Sequence, residues 1–221
     1  MSIKLFNFRV DNYSFQEAIE KAIELSKQDK VSQIITINPE MIEYAKKHTD
    51  FSDILNSAEM IIPDGIGIKI ALKVNGYNVE RIPGIDFAYS LLTKSANDNL
   101  PVAIVGAKNS IVEMAVNNLK SKIDNLNIVY YHDGYFNNDE EIYNDLLERK
   151  PRIILVAMGS PRQEQFIYNA KNKLQFGLMV GIGGSLDVWS GNIKRAPLIF
   201  QKLGLEWLYR ITTEPKRIKR V

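Results

Sequence analysis

The chain contains no cysteine. That excludes a disulfide framework, a thiolate nucleophile and thiolate metal ligands, and it fits a reducing compartment. Histidine is scarce: His48 and His132 are the only two. His48 reads as a solvated residue at a polar helix end. His132 follows a strand and reads first as a structural histidine, with a role in a site as the alternative. No Asp-x-Asp pair is present to hold a divalent ion on a nucleotide diphosphate, so neither metal nor cofactor is expected. Long apolar runs are also missing. No window approaches the ~18 uninterrupted apolar residues of a membrane span. The opening residues, MSIKLFNFRVDNYS, lack the apolar stretch and cleavage site of a signal peptide. These absences predict a cytoplasmic protein. Familiar catalytic signatures are missing as well: there is no Gly-x-Ser-x-Gly elbow, no P-loop, and no full Gly-x-Gly-x-x-Gly with an acid ~20 residues on.

What is present is a regular alternation of strand and helix patterns. The chain has 221 residues, 45% of them hydrophobic, which suits one domain with an appendage. FNFRV reads as a short strand. The segment from Ser14 reads as a helix opened by a capping box, with Glu17 three residues after Ser14. Pro39 suits the first turn of the next helix. Further strands are predicted at SQIITIN, AEMIIP, PVAIVGA, LNIVYYHDG, PRIILVAMG and GLMVGIGG, each followed by a helical pattern. Strands rich in Ile and Val that alternate with helices predict an α/β fold. The expected form is a Rossmann-like, mainly parallel sheet with helices on both faces.

Charge divides the chain. Residues 194–221 hold eight basic and two acidic residues, a net +6, whereas the rest is net −4. The boundary predicts a Rossmann-like domain over 1–193 and a basic, amphipathic helical appendage over 194–221. Leu198, Ile199, Phe200, Leu203, Trp207, Leu208 and Ile211 supply its apolar positions. Basic amphipathic helices lie on anionic membranes, and Trp207 suits the headgroup region. The alternative is a helix packed on the body with solvated charges. Lysine and arginine are gathered at one end with no aromatic platform among them, which argues against a nucleic-acid partner.

Ligands of open α/β sheets bind beyond the carboxyl ends of the strands. The residues there are Thr36 and Asn38, Asp64, Gly106, Tyr135, Gly159 with Pro161, Arg162 and Gln163, and Gly181, Gly183 and Gly184. Taken singly, each is an ordinary turn residue; together they predict a ligand crevice. The Gly181–Gly184 turn offers successive backbone amides to an anion. Asp187 reads equally as a cap or a ligand. Asp64 reads equally as a partly desolvated general base and as the N-cap of the helix at Gly65.

These motifs carry a resemblance. TINPEMIEYA, PDGIGI, RIPGIDF, HDGYF, GSPRQEQFI, GIGGSLDVWSGNIKRAP and GLEWLYRITTEPKRIKR together resemble the WecG/TagA/CpsF glycosyltransferases (glycosyltransferase family 26), over residues ~31–221. The resemblance implies a Rossmann-like enzyme that moves a sugar from a UDP-sugar donor to a polyprenyl-diphosphate lipid acceptor at the inner face of the bacterial membrane. In its TagA branch the donor is UDP-N-acetylmannosamine and the acceptor is undecaprenyl-diphosphate-N-acetylglucosamine. That transfer inverts the anomeric centre, needs no metal and makes the linkage unit of wall teichoic acid. By the same resemblance, Asp64 is the base and Thr36 and Asn38 hold the donor sugar and the nucleophile. Arg81 and Gln165 stabilise the reacting groups, and Arg210, Arg217 and Arg220 complete the site from the appendage. A peripheral location on the inner membrane surface follows, with homo-oligomers away from it. Two rivals remain: another UDP-sugar donor in exopolysaccharide synthesis, and a membrane-surface nucleotide-binding module without catalysis.

Overall fold

The computed structural model describes residues 2–213, with side chains through Tyr209. The chain opens with an antiparallel hairpin, β1 (Ser2–Leu5) and β2 (Phe8–Asp11). The sequence reading had FNFRV as a single strand. Instead Phe6, at φ 54°, turns the chain between two strands. Phe is a rare residue in that conformation, so the turn carries no sequence signal.

The remaining strands form one parallel sheet. They are β3 (Ser32–Ile37), β4 (Met60–Pro63), β5 (Val102–Gly106), β6 (Ile128–His132), β7 (Ile153–Ala157) and β8 (Leu178–Gly181). Their spatial order is β4-β3-β8-β7-β5-β6. The chain runs from β3 out to one edge, crosses, runs from β5 out to the other, and returns to fill the centre with β7 and β8. A sheet buried on both faces calls for near-continuous apolar strands, and β5 and β7 are buried at every residue. Each fully buried Ile, Leu or Val side chain contributes ~1.5–3 kcal/mol.

The helices that follow the hairpin and strands are α1 (Phe15–Ser26), α2 (Pro39–Lys47), α3 (Thr49–Asn56), α4 (Ile66–Val74), α5 (Gly84–Asn97), α6 (Asn109–Lys122), α7 (Asp139–Arg149), α8 (Arg162–Ala170) and α9 (Ser185–Trp189). α1, α5, α6 and α9 cover one face. The others cover the opposite face. The Ser14–Glu17 capping box opens α1, and Asn38 caps α2 with Pro39 in its first turn. α3 has no counterpart among the helices expected from the sequence. It starts one residue after α2 ends, and His48 between them stacks on Tyr44 with ring centroids 4.0 Å apart. His48 is exposed there, as the sequence reading expects of a solvated residue at a polar helix end.

The hairpin lies against β4. Arg9 donates to the carbonyls of Ala58 and Glu59 at 2.7 and 3.0 Å, and the Asp11 carboxylate accepts the N–H of Ile61 at 2.9 Å. Among the described residues, the appendage forms two short helices, α10 (Leu198–Lys202) and α11 (Glu206–Thr213), in the stretch that the sequence reads as helical and amphipathic. Gly204, at φ +71°, breaks them apart. Among the described residues, no helix is long and apolar enough to cross a membrane.

Candidate active site

The strand ends converge in two groups. The first surrounds β3 and β4. Asp64 continues the parallel pairing one residue past β4, its N–H donating to Ile37 O at 3.0 Å. Asn38 turns its Oδ1 onto the N–H of Met41 at 3.0 Å and so caps α2. Asp64 does not cap α4. That helix has Gly65 as its N-cap, with no side-chain cap bond. Instead Oδ1 of Asp64 accepts the N–H of Gly84, the first residue of α5, at 3.1 Å. The segment reaches Asp64 because Ile82 N donates to the O of Pro63, the last residue of β4, at 2.8 Å. The Thr36 side chain lies against the same glycine, 3.3 Å from where a Cβ would stand. Thr36, Asp64 and the α5 N-terminus therefore meet at one point. The positive end of a helix dipole favours negative charge there.

Arg81 sits beside this group and holds the appendage. Its Nη2 donates to Gln201 O at 2.9 Å, and the turn at Gly204 rests against Ile66 and the Arg81 guanidinium. A second arginine reinforces the dock. Arg195 grips both carboxylate oxygens of Asp86, in the first turn of α5, at 2.6 and 2.7 Å, and reaches Glu206 at 3.1 Å. Bidentate arginine–carboxylate pairs are strong and geometrically specific. Sequence reasoning missed Gly84, Asp86 and Arg195. RIPGIDF and NIKRAP contain them, but only the fold brings segments 109 residues apart together.

The second group lies across the central strands. Gly106 ends β5 at φ +139°, and a Cβ there would stand 2.4 Å from Ala157 O. That close approach lets Ala107 N reach Ala157 O at 2.9 Å and Gly134 N reach Ala107 O at 2.8 Å, tying three strand ends together. Gln163 is buried, and its Oε1 accepts the N–H of Gly183 at 3.1 Å. Ile182 N–H is also taken, by Val156 O at 2.8 Å. The anion-cradle expectation for this turn thus narrows to the amide of Gly184. Asp187 is no helix cap either. Gly184 holds that place, and Asp187 Oδ1 accepts from Asn192 at 3.3 Å.

Gln165 faces elsewhere. It is exposed, bonds Asn169 at 3.0 Å, and lines a pocket of about 280 Å³ with Tyr44, Asp50, Phe51, Pro161 and Arg162. Asp64 does not line that pocket. Residues two apart on a helix point to different sides, so Gln163 and Gln165 cannot both meet the glycine turn. Gly159 precedes Pro161, and Gln163 N returns to Gly159 O at 2.9 Å. Arg162 lies over the Phe136 ring at 5.2 Å. Tyr135 is exposed. His132 packs between the rings of Tyr130 and Phe136, as a structural histidine does. Trp207 is exposed on α11. Arg210 lies in α11, with its side chain outside the described residues; Arg217 and Arg220 lie wholly outside them. Among the described residues no cluster of three His, Asp or Glu is placed to hold a metal ion.

Glu164 is the buried acid of the region. Burial pushes its carboxyl above the ordinary value, while hydrogen bonds from Gln163 and Ser160 oppose the rise. The folded chain therefore keeps a proton that the unfolded chain releases. The stability tied to this group is full below the ordinary carboxylate range and is lost as pH rises towards the raised value. Relative to wild type, Glu164→Gln should gain thermal midpoint steadily as pH rises above the ordinary carboxylate range. A difference independent of pH would show that the carboxyl is not shifted upward.

The WecG/TagA/CpsF description, "Glycosyl transferase WecG/TagA/CpsF family", matches the chain over residues 3–221. Relatives named "N-acetylglucosaminyldiphosphoundecaprenol N-acetyl-beta-D-mannosaminyltransferase" are similar over most of their length. The Bacillus spizizenii protein is 36% identical over 195 residues, 88% of this chain and 76% of that one. The Bacillus subtilis protein is 35% identical over 194 residues, 87% and 76% of the two chains. A Staphylococcus aureus protein is 37% identical over 190 residues, 85% and 74%.

Proposed function

The chain belongs to the WecG/TagA/CpsF glycosyl transferase family, and from that premise we propose its reaction. It moves N-acetylmannosamine from UDP-N-acetylmannosamine to the 4-hydroxyl of the N-acetylglucosamine of undecaprenyl-diphosphate-N-acetylglucosamine. The names of the relatives support the transferred sugar and the acceptor. The observation that carries the chemistry is the Asp64 carboxylate beyond β4, set against the α5 N-terminus with Thr36 beside it. In this reading Asp64 takes the proton of the acceptor hydroxyl. The hydroxyl oxygen then attacks the anomeric carbon on the face opposite UDP. The bond from that carbon to the diphosphate oxygen breaks, and the product is a β-linked disaccharide. Negative charge builds on the departing UDP, and preorganised donors stabilise such charge most. Arg81, the Gly184 amide and the appendage arginines Arg210, Arg217 and Arg220 are the donors we assign to it, with no metal required. Asn38 and Gln163 hold the polar wall of the crevice.

The acceptor's lipid puts the reaction at a membrane surface. The exposed Leu198, Ile199, Leu203, Trp207 and Leu208 of the appendage support docking there. The Lys and Arg around them add about 1 kcal/mol each on an anionic leaflet. The test is UDP release with lipid-linked diphosphate-N-acetylglucosamine in anionic vesicles, across a panel of UDP-sugars, with and without EDTA. We expect turnover with UDP-N-acetylmannosamine, a β-1,4 product, full activity in EDTA and co-sedimentation with the vesicles. Preference for another UDP-sugar would replace the donor. A folded protein that binds UDP and turns over no donor would be a binding module. A protein that stays off the vesicles would refute the docking role of the appendage.

A further inference from the structure

We propose that Glu164 is a positioning residue for the donor's diphosphate, acting through Gln163 on the Gly181–Gly184 turn. The inference rests on the reading above that this turn faces the diphosphate. Glu164 is only 2% exposed, and its Oε1 accepts from Gln163 Nε2 at 2.7 Å. The same Gln163 amide accepts Gly183 N–H through its Oε1. Both side chains lie against the last residue of β8. A Cβ on Gly181 would stand 2.5 Å from Gln163 Nε2 and 3.1 Å from Glu164 Oε1.

A primary amide has an accepting end and a donating end of nearly equal shape. Flipped over, Gln163 would set its NH₂ against the N–H of Gly183, two donors facing each other. The acceptor on Glu164 opposes the flip, because it gives Nε2 a partner at 2.7 Å while Oε1 takes the N–H of Gly183. Ser185 N and Oγ both bond Ile182 O, at 3.1 and 2.7 Å. With Ile182 N–H on Val156 O, the turn is pinned at its start by the backbone. At Gly183 it is pinned by a side chain whose direction a second side chain sets. Holding Gly183 N–H inward leaves the Gly184 amide for an anion. An apolar residue in place of Glu164 would fill the space at less desolvation cost but would leave the amide direction unset.

The experiment compares wild type, Glu164→Gln and Glu164→Leu. It reads amide hydrogen exchange at Gly183 in the free protein, UDP affinity by calorimetry, and the thermal midpoint. Glutamine keeps an acceptor for Gln163, and leucine does not. We expect Glu164→Leu to speed Gly183 exchange and weaken UDP binding about tenfold each, the scale of one lost oriented hydrogen bond. Its midpoint should fall by a few degrees, because the buried Nε2 of Gln163 loses its acceptor. Glu164→Gln should restore exchange and affinity to within about threefold. Unchanged Gly183 exchange in Glu164→Leu overturns the positioning role. Equal loss of affinity in both variants, tracking a lower midpoint, also overturns it and leaves a structural role. A wild type that binds no UDP overturns the diphosphate reading instead, and Gly183 exchange tells that failure from the first.

Discussion

Asp64→Asn should abolish most sugar transfer, by about 10²–10⁴-fold, the range supplied by a positioned general base. UDP affinity should stay within about threefold and the thermal midpoint close to wild type. Asparagine keeps one function of this side chain and loses the other. Its side-chain oxygen can still accept the N–H of Gly84, the bond that Asp64 makes at 3.1 Å. It cannot take a proton from a hydroxyl. The substitution therefore separates the two tasks of this side chain. Asp64→Ala removes both, and should also cost about 0.5–2 kcal/mol, as the loss of a helix-end acceptor does. The measurement is single-turnover product formation beside UDP binding and thermal unfolding. If Asp64→Asn keeps more than a tenth of wild-type transfer, Asp64 is not the base, and its place at the α5 N-terminus is structural.

Gly106→Ala should be the most damaging single methyl in the crevice. The new carbon would stand 2.4 Å from Ala157 O and 2.7 Å from Ala157 Cα, on a residue whose φ is +139°. Both neighbours are backbone of the adjacent strand, so no side chain can swing away. The strand ends must part, which breaks the bonds from Ala107 N to Ala157 O and from Gly134 N to Ala107 O. Overpacking typically costs 1–3 kcal/mol, and a forbidden backbone conformation adds a similar amount. A total of about 4 kcal/mol lowers the midpoint by roughly 8–16 °C for a chain of this size. UDP binding should fall as well, because three strand ends move together. A midpoint within about 3 °C of wild type would show that β5 and β7 part easily there.

Local physics made much of the fold legible. Ser14 with Glu17, and Asn38 with Pro39, announce their helices because capping uses residues close in sequence. The buried strands announce themselves because a sheet covered on both faces demands Ile and Val throughout. The crevice was readable as a row of turns for the same reason. What escaped reading depends on partners far along the chain. Asp64 reads equally as a base and as a cap for the helix beside it, and the helix end whose N–H it accepts begins 20 residues later. Gln163 and Gln165 are chemically identical in sequence, and only the packing of α8 turns one to the glycine turn and the other to solvent. The hairpin hid because its turn uses Phe6 rather than glycine or asparagine. The sheet order, with the last two strands at its centre, leaves no trace in the pattern of residues.

The hairpin has a bearing on self-association. β4 is an edge strand, and an edge offers unpaired backbone groups to any passing chain. Here Asp11 occupies the N–H of Ile61 within β4, and Arg9 occupies the carbonyls of Ala58 and Glu59 just before the strand. Another copy cannot add a strand beside β4 without first displacing an Arg–Asp couple that is itself paired at 3.3 Å. The hairpin guards the sheet against growth on that side. Copies of this chain that meet there must do so through helix faces or the appendage, with the sheet of each remaining its own.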